Sequence, residues 1–228
     1  PYILYNRVDR TPVFFAGKGG LFAEKRQPQR FIFSLRQNGD FVMSTYSMTV
    51  AGLQRELPIC KVTDDLYIGA FICFGDAELT EACGRELLKL LEPGSYDYLF
   101  TAEAKSITLI HEMARQSGAK KYFIARKGPK AYMPDPIHVE DQSITTAGTQ
   151  KLYLGRDDAD LIRGKRIVLM DDVISTGGSL KAMEDLVALA GGTVVARIAV
   201  LAEGDAAKRH DIRFLAPLPL FNPDGSVK

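Results

Sequence analysis

Apolar and polar positions change rhythm along this 228-residue chain. Residues 1–58 carry short aromatic runs broken by Gly, Pro and Asn, a texture of strands and turns. Within them, residues 31–48 (FIFSLRQNGDFVMSTYSM) place β-forming arms around Asn38-Gly39, a pair that tolerates positive φ; a β-hairpin is predicted there. From about Asp64 strands and helices alternate. Residues 78–91 put Leu79, Cys83, Leu87, Leu90 and Leu91 on one helical face, and Pro93-Gly94 ends that helix. Residues 96–102 (YDYLFTA) read as a buried strand, followed by a helix capped near Ser106 that turns Ile107, Ile110 and Ala114 inward and stops at Gly118. Strands at 122–125, 167–170 and 194–201 and a helix at 180–190 complete the pattern, while 128–148 is a long polar stretch with three prolines. Strands spaced by helices in this way predict an α/β fold, a parallel sheet flanked by helices on both faces. Ligands of such sheets bind beyond the carboxyl ends of the strands. The division expected is a β-rich cap over 1–58 and a core over 59–228.

Composition narrows the class. At 46% hydrophobic and 25% charged residues, with 20 Gly and 11 Pro, the chain has the make-up of a folded globular protein, which excludes intrinsic disorder and collagen-like repeats. The 29 basic and 28 acidic residues leave a net charge of +1, so binding to nucleic acid through bulk positive charge is not expected. Cys60, Cys73 and Cys83 form no metal-ligand spacing and read as reduced, mostly buried thiols. No apolar run approaches the roughly 20 residues of a membrane helix, and PYILYNRVDR lacks the form of a leader peptide. A cytoplasmic protein without membrane contact is the expectation.

The chemistry concentrates in RIVLMDDVISTGGS, residues 166–179. Four apolar residues make a buried strand, Asp171 and Asp172 stand at its carboxyl end, and Ser175-Thr176-Gly177-Gly178-Ser179 opens a helix. The glycines let backbone approach a ligand closely, and exposed N–H groups at a helix start cradle phosphate, with the hydroxyls of Thr176 and Ser179 as further donors. Paired carboxylates repel phosphate but suit sugar hydroxyls or a magnesium ion. Strand, acid pair, glycine loop and helix in this order ask for a phosphorylated sugar.

This segment resembles the phosphoribosyl diphosphate (PRPP) signature of type I phosphoribosyltransferases, and the resemblance covers roughly residues 66–203 in element order. It implies that fold, with the N-terminal cap and residues 215–221 (LAPLPLF) forming a hood over the base. It implies pyrophosphate binding by the loop after the first core strand, Ala102-Glu103-Ala104-Lys105-Ser106, with Glu103, Ala104 and Lys105 as the ligands, where the family often has a non-proline cis peptide; the same five residues also read as a plain strand-to-helix turn with Ser106 as N-cap. The cations Arg126, Lys127 and Lys130 at the next strand's end fall where the family has an arginine–lysine pair, although a charge run is commonly a solvated turn. The polar stretch up to Gly148 falls where the family has a closing loop, with Ser143, Thr145, Thr146 and Lys151 near it. Magnesium is the implied cofactor, reached from Asp171 and Asp172 through water. Displacement at C1 of the ribose follows, with the acids holding the 2- and 3-hydroxyls.

Base recognition is the least specified part. Val173 and Ile174 follow the acids and are candidates to line the base pocket; Phe14, Phe15, Phe71, Phe74 and Phe221 are candidates to stack, or to be core. The lysine that 6-oxopurine members carry near the start of the fourth core strand is replaced by Arg197. The resemblance favours a purine enzyme of adenine or xanthine type acting in salvage, as a homodimer with PRPP and a nucleobase for partners. The competing reading is a PRPP-sensing regulator on the same fold; a PRPP synthetase needs a second nucleotide-binding half. Gly17-Lys18-Gly19-Gly20 lacks the spacing of a nucleotide P-loop, and His111, His138 and His210 form no metal constellation.

Overall fold

Residues 44–141 and 150–228 are described by the structure, a computed structural model. β1 (Thr45–Val50) turns through Ala51 and Gly52, at φ of 51° and 83°, into β2 (Leu53–Thr63), with Val50 opposite Leu53 and Thr45 opposite Pro58. Most of the hairpin predicted over 31–48, including its Asn38-Gly39 turn, lies outside the described residues; its last part is β1, which pairs forward. β2 passes through residue 58 without a break, and β3 (Leu66–Gly69) pairs antiparallel with it.

Helix α1 (Ala77–Lys89) starts where the Asp76 carboxylate accepts the Leu79 N–H at 2.9 Å, an N-cap worth about 1 kcal/mol. Then follow β4 (Tyr98–Ala102), α2 (Ile107–Ser117) and β5 (Phe123–Ala125), with Gly118 closing α2 at φ 74°. The stretch predicted as one loop over 128–148 contains β6 (Ile137–Asp141), antiparallel to β7 (Gln150–Leu154). A period-two pattern marks β6: Ile137 and Val139 pack on the core while His138 and Glu140 face solvent. Ser143, Thr145 and Thr146 lie outside the described residues. A short helix, α3 (Arg156–Ile162), precedes β8 (Arg166–Ile174), α4 (Gly178–Leu189) and β9 (Thr193–Glu203).

The core sheet runs β10-β9-β8-β4-β5, with β10 spanning Arg213–Leu218, and all its pairings are parallel. Alternation along β8 serves two layers. Ile167 and Leu169 join Leu180, Met183 and Leu186 of α4 and Ile162 of α3; Val168 and Met170 join Leu87 of α1 and Leu109, Ile110 and Met113 of α2. Each such side chain contributes roughly 1.5–3 kcal/mol by burial, so the strand ends that carry the site rest on a rigid base. Residues 215–218, expected in the hood, are instead part of this sheet. Only β11 (Leu220–Phe221), one residue beyond β10, joins the small sheet, pairing with β3 in the order β1-β2-β3-β11. Phe71 and Phe221 are fully buried core residues, with the Phe221 ring edge-on to Tyr46 at 5.1 Å.

The three cysteines are free, and burial pushes the Cys73 and Cys83 thiols up to about 12, so these two pack as small apolar groups. Among the described residues no helix is long and apolar enough to cross a membrane.

Candidate active site

Strand β8 continues past its apolar run, through both acids, to Ile174. One residue before them, the Met170 carbonyl accepts the buried Thr101 hydroxyl at 2.7 Å, which pins β8 to β4. Ser106, expected as an N-cap, occupies that position without making a capping bond. Its hydroxyl lies 2.9 Å from Asp171 Oδ1 and 3.3 Å from Asp172 Oδ1, and its oxygen accepts the Asp172 N–H at 2.9 Å. A single O–H can satisfy only one of these carboxylates at a time. Burial first, and the Asp172 carboxylate second, push the Asp171 carboxyl well above the ordinary carboxylate range. Asp172 is 4% exposed, and its Oδ2 has no directed hydrogen bond, although Lys105 Nζ lies 2.8 Å away as an ion pair. For Lys105, burial opposes the charge but attraction to Asp172 outweighs it and holds the ammonium above its ordinary value.

The loop after β8 is a second component. Residues Ser175 to Ser179, with Asp171, Val173, Ile174 and Leu180, line a cavity of about 160 Å³. That is a fraction of the roughly 300–1,000 Å³ of a complete small-molecule pocket, and suits one anionic group at the start of α4. Gly177 sits at φ 86°, and a Cβ there would lie 2.6 Å from Arg209 Nη1. Arg209 is itself held by Asp211 through contacts of 2.9 and 2.6 Å. Val173 and Ile174 both reach the cavity, although Ile174 is also buried in the core.

The third component joins two loops. The Glu103–Ala104 peptide is cis. The sequence reading placed Glu103 among the pyrophosphate ligands, but its N–H donates to the Ala125 carbonyl at 2.9 Å. Its carboxylate accepts the Lys127 N–H at 2.6 Å and lies 3.3 Å from Arg126 Nη1 and 3.8 Å from Lys130 Nζ. The Arg126 backbone bonds Tyr153 of β7 in both directions at 2.8 Å, and its Nε donates to the Tyr132 hydroxyl at 3.2 Å. Ala104 and Lys105 lie exposed beside this basic strand end.

The model of the phosphoribosyl transferase domain matches residues 78–216, which span all three components. The chain belongs to this family. Adenine phosphoribosyltransferase of Mycolicibacterium paratuberculosis is 41% identical over 97 residues, 42% of this chain and 50% of that protein; the chain thus spans about half the length of that relative. The enzyme of the same name from Renibacterium salmoninarum is 34% identical over 136 residues, 57% of this chain and 71% of that one. Among solved structures, adenine phosphoribosyltransferase from Thermoanaerobacter pseudethanolicus superposes with a TM-score of 0.53 at 26% identity, covering 62% of this chain and 82% of that one. The Rhodothermus marinus protein gives 0.54 at 22% identity over 76% and 94%, a likeness of fold.

Three residues of this phosphoribosyl transferase domain carry no signal in the sequence, Thr101, Glu203 and Arg209, and Ser106 reads there as a loop residue and cap without its contacts to the acid pair. Glu203 closes β9 beside the loop after β8; burial pushes its carboxyl up, against the pull of the Ser175 hydroxyl and the Lys105 charge. Each is a single polar residue that becomes informative only once β4, β8 and β9 are adjacent. Arg197 lies mid-strand opposite Leu169 and is bonded to Glu184 of α4, away from the strand ends. His111 meets Tyr122 and His138 stacks on Tyr153; among the described residues no three metal-binding side chains cluster. Phe74 remains exposed, and Phe14 and Phe15 lie outside the described residues.

Proposed function

We propose that this chain transfers the 5-phosphoribosyl group of PRPP to a purine base of the adenine type, with release of pyrophosphate, in nucleotide salvage. The observation that supports the reading is Lys105 Nζ at 2.8 Å from Asp172, which brings the loop after β4 against the acid pair, while Asp171 lines the same cavity as the glycine loop. The glycine loop takes the 5-phosphate, Asp171 and Asp172 take the ribose hydroxyls, and Lys105 with the cations of 126–130 faces the leaving pyrophosphate. A nitrogen of the base bonds to C1 as the C1–O bond to pyrophosphate breaks, and the proton that nitrogen carried is taken by a carboxylate of the acid pair. Fixed charges aimed at the departing oxygens are worth roughly 10²–10³ in rate per donor, so electrostatics and positioning carry the catalysis.

Magnesium fits the donor set. Asp171 and Asp172, whose Oδ2 is paired only with Lys105, are hard oxygen donors, too few for an all-protein cage and right for an ion that keeps water and substrate oxygens. When bound, it would draw charge onto the pyrophosphate oxygens. The names of the relatives support adenine, and the Arg197–Glu184 bond supports it over a 6-oxopurine by leaving no cation for a ring oxygen at that position. The homodimer implied by the resemblance is part of the proposal, and light scattering checks it.

The test is PRPP- and magnesium-dependent pyrophosphate release with adenine, hypoxanthine, guanine, xanthine, uracil and orotate in turn. Release with adenine is expected. Release with another base would move the specificity, and PRPP binding without release would favour a sensor.

A further inference from the structure

We infer that Glu103 is a built-in competitor for pyrophosphate, an internal anion that weakens the grip of this site on its own product. The inference rests on the proposed reading of the site and concerns how that site lets go. Three cations in five residues, Arg126, Lys127 and Lys130, make a strong anion trap. In the structure the anion among them is the Glu103 carboxylate, which touches the side chains of Arg126 and Lys130 and the backbone N–H of Lys127.

The loop does not need that charge to hold its course. The Glu103 N–H to Ala125 carbonyl bond anchors the chain whatever the side chain is, and a neutral amide oxygen can still accept the Lys127 N–H, through a weaker bond than a carboxylate makes. What the charge adds is partial neutralisation of the cations before any ligand arrives. An incoming pyrophosphate must share those cations with Glu103 or displace it. Product release, not chemistry, is the slow step in many enzymes, so tight binding of product slows turnover there. A carboxylate here therefore lowers affinity in exchange for faster release.

The experiment compares the full chain with Glu103→Gln. Calorimetry measures binding of magnesium pyrophosphate alone, and separately of ribose 5-phosphate, which has no pyrophosphate. The Gln variant is expected to bind pyrophosphate about tenfold more tightly, which corresponds to about 1.4 kcal/mol, with ribose 5-phosphate unchanged. Product inhibition by pyrophosphate should strengthen by the same factor, and the gain should shrink at high salt. Unchanged or weaker pyrophosphate binding in the variant would overturn the inference, because the carboxylate would then be supporting the site. Equal tightening for both ligands would also overturn it, since the effect would be general field and not local competition. If the unaltered chain binds neither pyrophosphate nor PRPP, the site reading falls and takes Glu103 with it. If it binds them and the variant gains nothing, only the role of Glu103 falls. A melting curve confirms that the variant is folded, and Glu103→Ala repeats the comparison should the amide distort the loop.

Discussion

The two ends of β8 both carry charge, and they carry it on opposite terms. At the start, Arg166 lies 3.0 Å from Asp97 Oδ1, and its backbone N–H donates to Asp97 Oδ2 at 2.7 Å. Unlike charges meet in partial exposure, and the pair pulls the Asp97 carboxyl down to about 2. At the finish, two carboxyl groups are neighbours, Asp172 is 4% exposed and paired with Lys105, and burial, with the Asp172 carboxylate, pushes Asp171 upward. Exposed opposite pairs give about 0–1 kcal/mol and hold the strand in place. Buried like pairs are costly unless a ligand or ion meets them. The strand is thus structural where it enters the sheet, and the proposed site lies where it leaves.

Breaking the reactive end should have the largest effect. Asp171→Asn together with Asp172→Asn is expected to cut pyrophosphate release by at least about 10²-fold, with a melting curve confirming that the variant is folded. Wild-type rates in that variant would remove the acids from the reaction. Next comes the loop that the strand feeds. Gly177→Ala forces a side chain to φ 86°, at about 1–2 kcal/mol, and pushes on Arg209 Nη1. The KM for PRPP should rise about tenfold; adding Arg209→Ala should recover only the part due to the clash. An unchanged KM would mean that the loop does not hold PRPP.

The smallest effect belongs to the structural end. The folded-state carboxyl of Asp97 lies below its ordinary 3.8, so its contribution is fully present above that value and is lost as pH falls towards 2. Melting of the unaltered chain should therefore drop more steeply between pH 4 and 2 than that of Asp97→Asn, with activity at neutral pH unaffected. Identical pH profiles would show that the pair does not contribute.

The alternation of strands and helices was readable because the buried faces of α1, α2, α4 and the core strands keep strict periods. The acid pair and the glycine loop were readable because they are contiguous in one segment. What escaped was assembled across the chain. Ser106 reads as a cap until β8 is laid beside β4, and Glu103 reads as a pyrophosphate ligand until β5 brings Arg126 to its carboxylate. β6 and β7 were lost among prolines and charged residues, five-residue strands too short for a periodic signal to stand out. β10 was masked by Pro217, which an edge strand tolerates and a central one does not.

The single residue between β10 and β11, Pro219, belongs to neither sheet yet links them covalently, and proline fixes φ near −65°. A joint of that length leaves almost no slack. The small sheet can tilt only by dragging an edge strand of the large one, so on this side the two behave mechanically as one piece. Substitutions that tilt the small sheet should consequently register as changes in the stiffness and melting of the large one.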